Sequence, residues 1–304
     1  MCTQPKIAQS YICDVTGLKA IRFKNFKGEA NLQLPCKKCK DCKLKKAREW
    51  SIRCWHESQM HHENAFVTFT YDDEHLPPYG NLRHSDFQKF IKRFRDKNPE
   101  LEIKYFMCGE YGDNTHRPHY HAIIFGYYPP DAVFHRREKG HNYYKSESLD
   151  SCWKNGFTDT TSVSYTNAGY LARYSLKKQI GSEDLQDRYT YLDEFDNLQT
   201  RQFEYIRMST GRESGQGIGA SWLHKHWQHV LENDYVLNPH QTKLPVPRYY
   251  LDILARDVSA DKSESNSISR IEKAQSADIS TPERLANKAI CVEANNRNHT
   301  RPYL

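Results

Sequence analysis

Nowhere in the 304 residues does an apolar run approach the roughly 20 side chains needed to cross a bilayer. The first residues also lack the charged-then-apolar layout of a secretion signal. These absences exclude a membrane-spanning reading and set the expectation of a soluble cytoplasmic protein. No internal repeat recurs, so a stacked-repeat architecture is excluded. Apolar residues are scarce for this length, 38% of the chain, so part of it is expected outside a packed core. Charge of one sign is not in large excess either. The formal total is +6, yet the basic residues are placed unevenly, with Lys37, Lys38, Lys40, Lys43, Lys45, Lys46 and Arg48 crowded together. Such a run is either a solvated face or a phosphate-contacting surface, and sequence leaves both open. Nine cysteines are present, an odd number, and three fall at Cys36, Cys39 and Cys42. In a reducing compartment that spacing suggests a metal rather than disulfides. Cys108 and Cys152 read as small buried hydrophobes.

Hydrophobic periodicity orders the middle of the chain. Asp41 is placed to cap a helix whose less polar residues, Leu44, Ala47, Ser51, Cys54 and Trp55, recur at helical steps to about residue 60, with Lys45, Arg48 and Arg53 on its other face. Phe66-Val-Thr-Phe-Thr-Tyr71 is β-branched and aromatic throughout and reads as a strand. A helix follows, with Ser85 and Gln88 as a capping box and Phe87, Phe90, Ile91 and Phe94 as its apolar stripe. Ile103 to Cys108 and His119 to Phe125 are strand-like and joined by a polar loop, which suits an antiparallel hairpin. After a Tyr/Lys-rich insertion at about 127 to 150, a further helix is expected near 167 to 179, capped by Thr166 or Asn167. The order β-α-β-β-α predicts an α+β fold, an antiparallel sheet backed by helices, with a ferredoxin-like core. Three segments are expected: a Cys-bearing basic region over 1–60, a catalytic domain over 61–240, and a tail over 241–304, largely disordered because it is rich in Ser, Asp, Asn and Lys.

Within the second hairpin strand, alternation puts His119, His121, Ile123 and Phe125 on one face. Two imidazoles pointing the same way from adjacent pleats are close enough to share one ion, although packing or solvent exposure would account for them as well. Glu110 ends the preceding strand, and folding the hairpin sets its carboxylate beside them as a third ligand. Such a mixed N/O set suits Mg²⁺ or Mn²⁺. Tyr170 and Tyr174 lie one turn apart on the later helix, with Lys177 and Lys178 extending the same side. A phenol with a pKa of roughly 10 needs nearby positive charge before it can act as a nucleophile. A core-facing tyrosine pair with snorkelling lysines is the plainer alternative. Arg173 points elsewhere and reads as a solvated surface charge.

Four stretches, Phe66-Val-Thr-Phe-Thr70, Cys108-Gly-Glu-Tyr-Gly112, Arg117-Pro-His-Tyr-His121 and Tyr170-x-x-x-Tyr174-x-x-Lys177, occur in an order that resembles the HUH endonucleases. Three more, Pro35-Cys-x-x-Cys-x-x-Cys42 before the basic helix, Gly217-Ile-Gly219 followed by Trp222, and the start Met1-Cys-x-x-Pro5, resemble the replication initiators of Microviridae, especially gokushovirus-like phages. The similarity spans roughly residues 1 to 230. It implies that Glu110, His119 and His121 bind a divalent ion, that Tyr170 or Tyr174 attacks a DNA phosphate, and that Lys177, or Lys178 in its place, orients that phosphate. It also implies a 5′-phosphotyrosine, a free 3′-hydroxyl for rolling-circle replication, a host-cytoplasmic location, and host helicase and polymerase as partners. A structural Zn²⁺ on Cys36, Cys39 and Cys42 would need a fourth ligand, Cys2 or alternatively Cys13. Lys43, Lys45, Lys46 and Arg48 would contact single-stranded origin DNA, with Trp50 and Trp55 available for base stacking. The competing readings are a plasmid-type nickase or relaxase, for which a third histidine is expected where His116 lies in a loop, and a zinc-dependent DNA-binding protein without catalysis.

Overall fold

The structure is a computed structural model that describes residues 2–30, 32–112, 115–138, 140–177, 189–210, 216–276 and 281–299. It divides into two compact units, residues 1–46 with 267–303, and residues 47–266. In the first unit, strands β1 (Lys6–Ile12), β2 (Lys19–Arg22) and β3 (Leu32–Leu34) form an antiparallel sheet in the order β2-β1-β3. Helix α1 (Lys40–Ser58) leads from one unit into the other. The second unit continues with β4 (Asn64–Tyr71), α2 (His84–Lys97), β5 (Lys104–Tyr111), β6 (Pro118–Phe125), β7 (Val133–Glu138), β8 (His141–Lys145), α3 (Glu147–Trp153), β9 (Gly156–Ser162) and α4 (Tyr165–Lys177). Then come β10 (Thr190–Leu192), β11 (Leu198–Thr200), β12 (Tyr205–Met208), α5 (Ala220–Asn233), β13 (Tyr235–Leu237), β14 (Lys243–Pro245) and α6 (Arg248–Ile253), followed by α7 (Ala260–Ser276) and α8 (Pro282–His299).

Seven strands make the central sheet, antiparallel throughout, in the order β12-β5-β6-β4-β9-β8-β7. Its two faces follow from strand alternation. On one, Val67, Phe69, Tyr71, Tyr120, Ala122 and Ile124 meet Phe87, Phe90, Ile91 and Phe94 of α2 and Leu149 and Trp153 of α3. On the other, Phe66, Phe106, Cys108, Ile123 and Phe125 meet Ala168, Leu171 and Ala172 of α4 and Ala47 and Cys54 of α1. Each large side chain buried this way contributes roughly 1.5–3 kcal/mol. The expected α+β class, the β-α-β-β-α order and the burial of Cys108 and Cys152 all hold.

Several boundaries differ from the expectation. Helix α2 begins at His84 with Arg83 as its cap and no side-chain cap bond, so Ser85 sits inside the first turn and does not form the capping box with Gln88. Asp41 likewise lies within the first turn of α1. For α4 the cap is Ser164, neither Thr166 nor Asn167. Ser164 Oγ accepts from the Asn167 amide at 3.1 Å, and Asn167 Oδ1 accepts from the Ser164 amide at 2.7 Å, a reciprocal pair that satisfies two orphan donors. The insertion is structured: it holds β7, β8 and α3 and is followed by β9, a central strand that sequence reading passed over. In the 241–304 segment, α6 buries Tyr250 and Ile253 against Leu223, Val230 and Leu231 of α5, and helices α7 and α8 follow.

Candidate active site

The β5–β6 hairpin fixes the site. Its register sets Glu110 directly opposite His119 and Cys108 opposite His121, while β4 sets Thr68 opposite His121 on the other side. Glu110 Oε1 lies 2.7 Å from His119 Nε2 and 3.1 Å from His121 Nε2. The two imidazole rings are 5.0 Å apart and perpendicular. The remaining ring nitrogens are held from outside: His119 Nδ1 donates to the Arg117 carbonyl at 3.2 Å, and His121 Nδ1 is 2.9 Å from Thr68 Oγ1. Both Nε2 atoms are thereby aimed at the carboxylate, the orientation that outer hydrogen bonds give to metal-binding imidazoles. Burial pushes the Glu110 carboxyl up, but the charge of His121 and hydrogen bonds from both histidines outweigh it and bring it down to about 2. Its second oxygen, Oε2, is buried without a hydrogen-bond partner.

These three residues fit a divalent ion. One ligand atom from each lies within 4.8 Å of the others, and the unpartnered Oε2 is a carboxylate oxygen held out of water, which is costly unless something positive meets it. His116, by contrast, is exposed in the loop with a positive φ of 52° and does not join the cluster. Helix α4 brings Tyr170 over the same face, its half-buried ring 6.2 Å from that of His121 and edge-on to it. Arg173 is exposed and bonds back to the Gly169 carbonyl, in keeping with a surface charge. The side chains of Tyr174 and Lys177, and Lys178 as a whole, lie outside the described residues.

A second cluster belongs to the first unit. Cys2, Cys36, Cys39 and Cys42 bring their four Sγ atoms within 4.8 Å of one another, with Cys2 and Cys39 3.6 Å apart. Tetrahedral zinc with Zn–S near 2.3 Å would place sulfurs about 3.8 Å apart. Backbone amides of Gln4 and Cys36 donate to Cys2 Sγ, and that of Cys39 donates to Cys36 Sγ, contacts that favour thiolates. Burial raises the Cys39 thiol, yet hydrogen bonds from the Thr3 side chain and the Cys42 amide bring it down to about 6, while Cys42 is pushed up, by burial first. Cys13 stays apart from the group, so Cys2 is the fourth member.

On α1, Lys45, Lys46 and Arg48 are exposed and Lys43 is half-buried. Trp50 and Trp55 are not available for stacking on bases. Trp50 packs on Phe106 at 4.9 Å and under the Arg53 guanidinium at 4.0 Å, and Trp55 packs edge-on to Tyr165. Arg53 is itself no solvent-facing charge: it lies between Trp50 and Tyr249 and donates to the Ile218 carbonyl. Sequence reading also missed fully buried Glu57, which accepts from the Gly219 amide at 2.6 Å and faces Lys104 Nζ at 2.9 Å and His61 Nε2 at 3.0 Å. Nothing in a helical repeat marks Glu57 for burial. Only the weak Gly217-Ile-Gly219 stretch hinted that α1 meets a tight backbone there.

Fold and cluster together define an α+β protein whose central sheet carries a two-histidine, one-carboxylate group able to hold a divalent ion, with a tyrosine-bearing helix above it. The chain belongs to the replication-associated proteins of Microviridae phages. The family described as replication-associated protein ORF2 matches residues 64–179. Replication-associated protein VP4 of Bdellovibrio phage phiMH2K is 37% identical over 231 residues, covering 73% of this chain and 68% of the relative. Replication-associated protein ORF2 of Spiroplasma virus 4 is 31% identical over 234 residues, covering 72% and 67%. Replication-associated protein ORF4 of Chlamydia phage 1 is 30% identical over 241 residues, 75% of this chain, which spans 55% of that relative's length. No solved structure matches the chain.

Proposed function

We propose that this protein initiates phage DNA replication as an HUH-type endonuclease, cutting single-stranded origin DNA with a tyrosine. The observation that carries the reading is the register that places Glu110 opposite His119 and next to His121, below the ring of Tyr170. A divalent ion, Mg²⁺ or Mn²⁺, held by Glu110, His119 and His121 would polarise the scissile phosphate. The Tyr170 oxygen attacks phosphorus, an O–P bond to tyrosine forms, the phenol proton leaves, and the bond from phosphorus to the 3′ oxygen breaks. That oxygen takes up a proton and departs as a 3′-hydroxyl primer for the host polymerase, behind the host helicase. The 5′-phosphotyrosine conserves the bond for rejoining by the reverse transfer. Tyr174 is the second nucleophile by its one-turn spacing, and Lys177 is the phosphate-orienting cation.

Incubation of the protein with single-stranded phage genome and Mn²⁺ should yield an SDS-stable protein–DNA adduct that EDTA prevents. Tyr170→Phe and Tyr174→Phe assign the attacking residue, and an adduct undiminished in both overturns the tyrosine assignment. A second reading is favoured by the four converging thiols: a zinc-dependent DNA-binding protein without catalysis. Tight DNA binding with no metal-dependent adduct from wild type would select it. The cysteine cluster is in either case assigned a structural Zn²⁺, and Lys43, Lys45, Lys46 and Arg48 a role in neutralising phosphates.

A further inference from the structure

The face of the central sheet that carries the histidines is only partly covered. Helix α4 packs over its β5, β6 and β12 side, where Phe66, Phe106 and Ile123 are buried. Beyond β4 the same face runs on across β9, β8 and β7. Pairing shows which residues stand on it. Thr70 faces His119 across β6 and Phe157 across β9, and Thr68 likewise joins His121 to Asp159. Tyr144 pairs with Thr160 on the opposite face, so its neighbours Tyr143 and Lys145 point to the Asp159 side. Arg136, across a bulge, faces Tyr143 with its guanidinium 4.5 Å from the ring.

This strip has the chemistry of a strand-binding platform. Phe157 is 56% exposed, an unusual place for a large apolar ring on a central strand. Thr70 is exposed beside it, so nothing bulky separates the ring from His119. Lys145 Nζ stands 5.7 Å over Phe157 and 3.1 Å from Asp159, and Arg136 reaches Asp159 at 2.9 Å. Asp159 thus holds two cations upright on the open face. With strands about 4.8 Å apart, Phe157 begins roughly 10 Å from His119, two strands away.

We propose that the β9–β8–β7 strip, with Phe157 stacking on a base and Lys145 and Arg136 meeting phosphates, holds the nucleotides next to the scissile phosphate of a single-stranded DNA. Single strands are bound by just this combination of exposed aromatic and basic groups, and the strip is continuous with the histidine face. The assignment rests on the nuclease reading, but binding tests it without cutting.

The probe is fluorescein-labelled oligo(dT) of about 15 nucleotides, followed by anisotropy with the full chain in EDTA. Phe157→Ala should weaken binding about tenfold, and Phe157→Trp should restore it. Lys145→Gln should weaken binding and lower the slope of log affinity on log salt by about 0.7, one phosphate contact on a single strand. Phe134→Ala is the control, an equally exposed ring on the opposite face of the same hairpin, and should leave affinity unchanged. If Phe157→Ala and Lys145→Gln both bind as wild type, or Phe134→Ala weakens binding as much as Phe157→Ala, the proposal is overturned, whatever the adduct assay shows. If wild type forms no adduct but Phe157→Ala still loses affinity, the nuclease reading fails and the strip stands.

Discussion

Thr68 does for His121 what the Arg117 carbonyl does for His119: it occupies Nδ1 and leaves Nε2 aimed at Glu110. Replacing it with the near-isosteric valine keeps the strand and removes only that bond. Thr68→Val should therefore lower metal affinity about tenfold or more, read as a shift in the Mn²⁺ concentration needed for half-maximal adduct and recovered by excess Mn²⁺. A shift in maximal adduct alone would place Thr68 outside the ligand shell. A different single residue governs pH behaviour. His56 is buried, stacked 3.5 Å from Trp222 and bonded to the Tyr250 hydroxyl, and burial pushes it down to about 3, with His226 adding to the fall and a Leu237 backbone contact opposing it. Below its ordinary pKa of about 6.5 the unfolded chain takes up a proton that the folded chain refuses. Stability is thus lost as pH falls from about 6.5 toward 3, by about 2 kcal/mol at pH 5. His56→Phe, compared with wild type by denaturation between pH 7 and 5, should show a correspondingly shallower loss, and equal slopes would refute this origin. His119, His121 and Glu110 were legible as a set because strand alternation and one hairpin suffice to bring them together. Thr68 and His56 were not, since each acts through a partner distant in sequence.

Between residue and fold, the helix that presents Tyr170 depends on its first turn. Ser164 and Asn167 exchange two hydrogen bonds, and Asn167 Nδ2 also reaches the Ser162 carbonyl at 2.8 Å, tying the helix to the end of β9. Ser164→Ala should cost about 1 kcal/mol of stability, measured by chemical denaturation. Because both residues belong to one box, Ser164→Ala combined with Asn167→Ala should cost less than the two single losses added; strict additivity would mean that the bonds act separately. The existence of this helix is plain from its apolar spacing, but spacing alone puts the cap two or three residues late. Tyr165 and Thr166 do not look like a helix start, and only the Asn167 side chain turning back reveals Ser164. Strand β9 is harder to see. Its Gly-Phe-Thr-Asp-Thr-Thr-Ser alternates Thr158 and Thr160 inward against exposed Phe157 and half-buried Asp159, an inversion of the usual apolar-in pattern. The hairpin β7–β8 hides for a related reason: it is an edge pair made of exposed arginine, histidine and tyrosine, whose stabilising contacts are ion pairs and ring contacts rather than a buried stripe.

At the scale of the whole molecule, the matched family segment, residues 64–179, runs from β4 through α4 and so contains the histidine pair, Glu110, Tyr170 and the open strip. The cysteines lie before it, in the unit of residues 1–46 and 267–303. That unit is poor in buried apolar residues: of its first 46, only Ala8 and the cysteines Cys2 and Cys39 appear in the core, while Ile7, Ile12, Ile21 and Phe23 stay exposed. A segment with so little core needs another source of stability, and a metal bound by four thiolates supplies one, since ligand binding present only in the folded state is folding free energy. The purified protein should therefore hold close to one zinc per chain under reducing conditions, measured by elemental analysis. Cys36→Ser with Cys39→Ser should abolish it and expose the 1–46 segment to proteolysis. Every residue proposed for phosphodiester chemistry lies in the other unit, so the same variant should still form the Mn²⁺-dependent tyrosine adduct at saturating DNA. Loss of zinc together with loss of the adduct at all DNA concentrations would instead make the cysteine cluster a condition of catalysis, and retention of zinc after both substitutions would remove the four-thiolate site altogether.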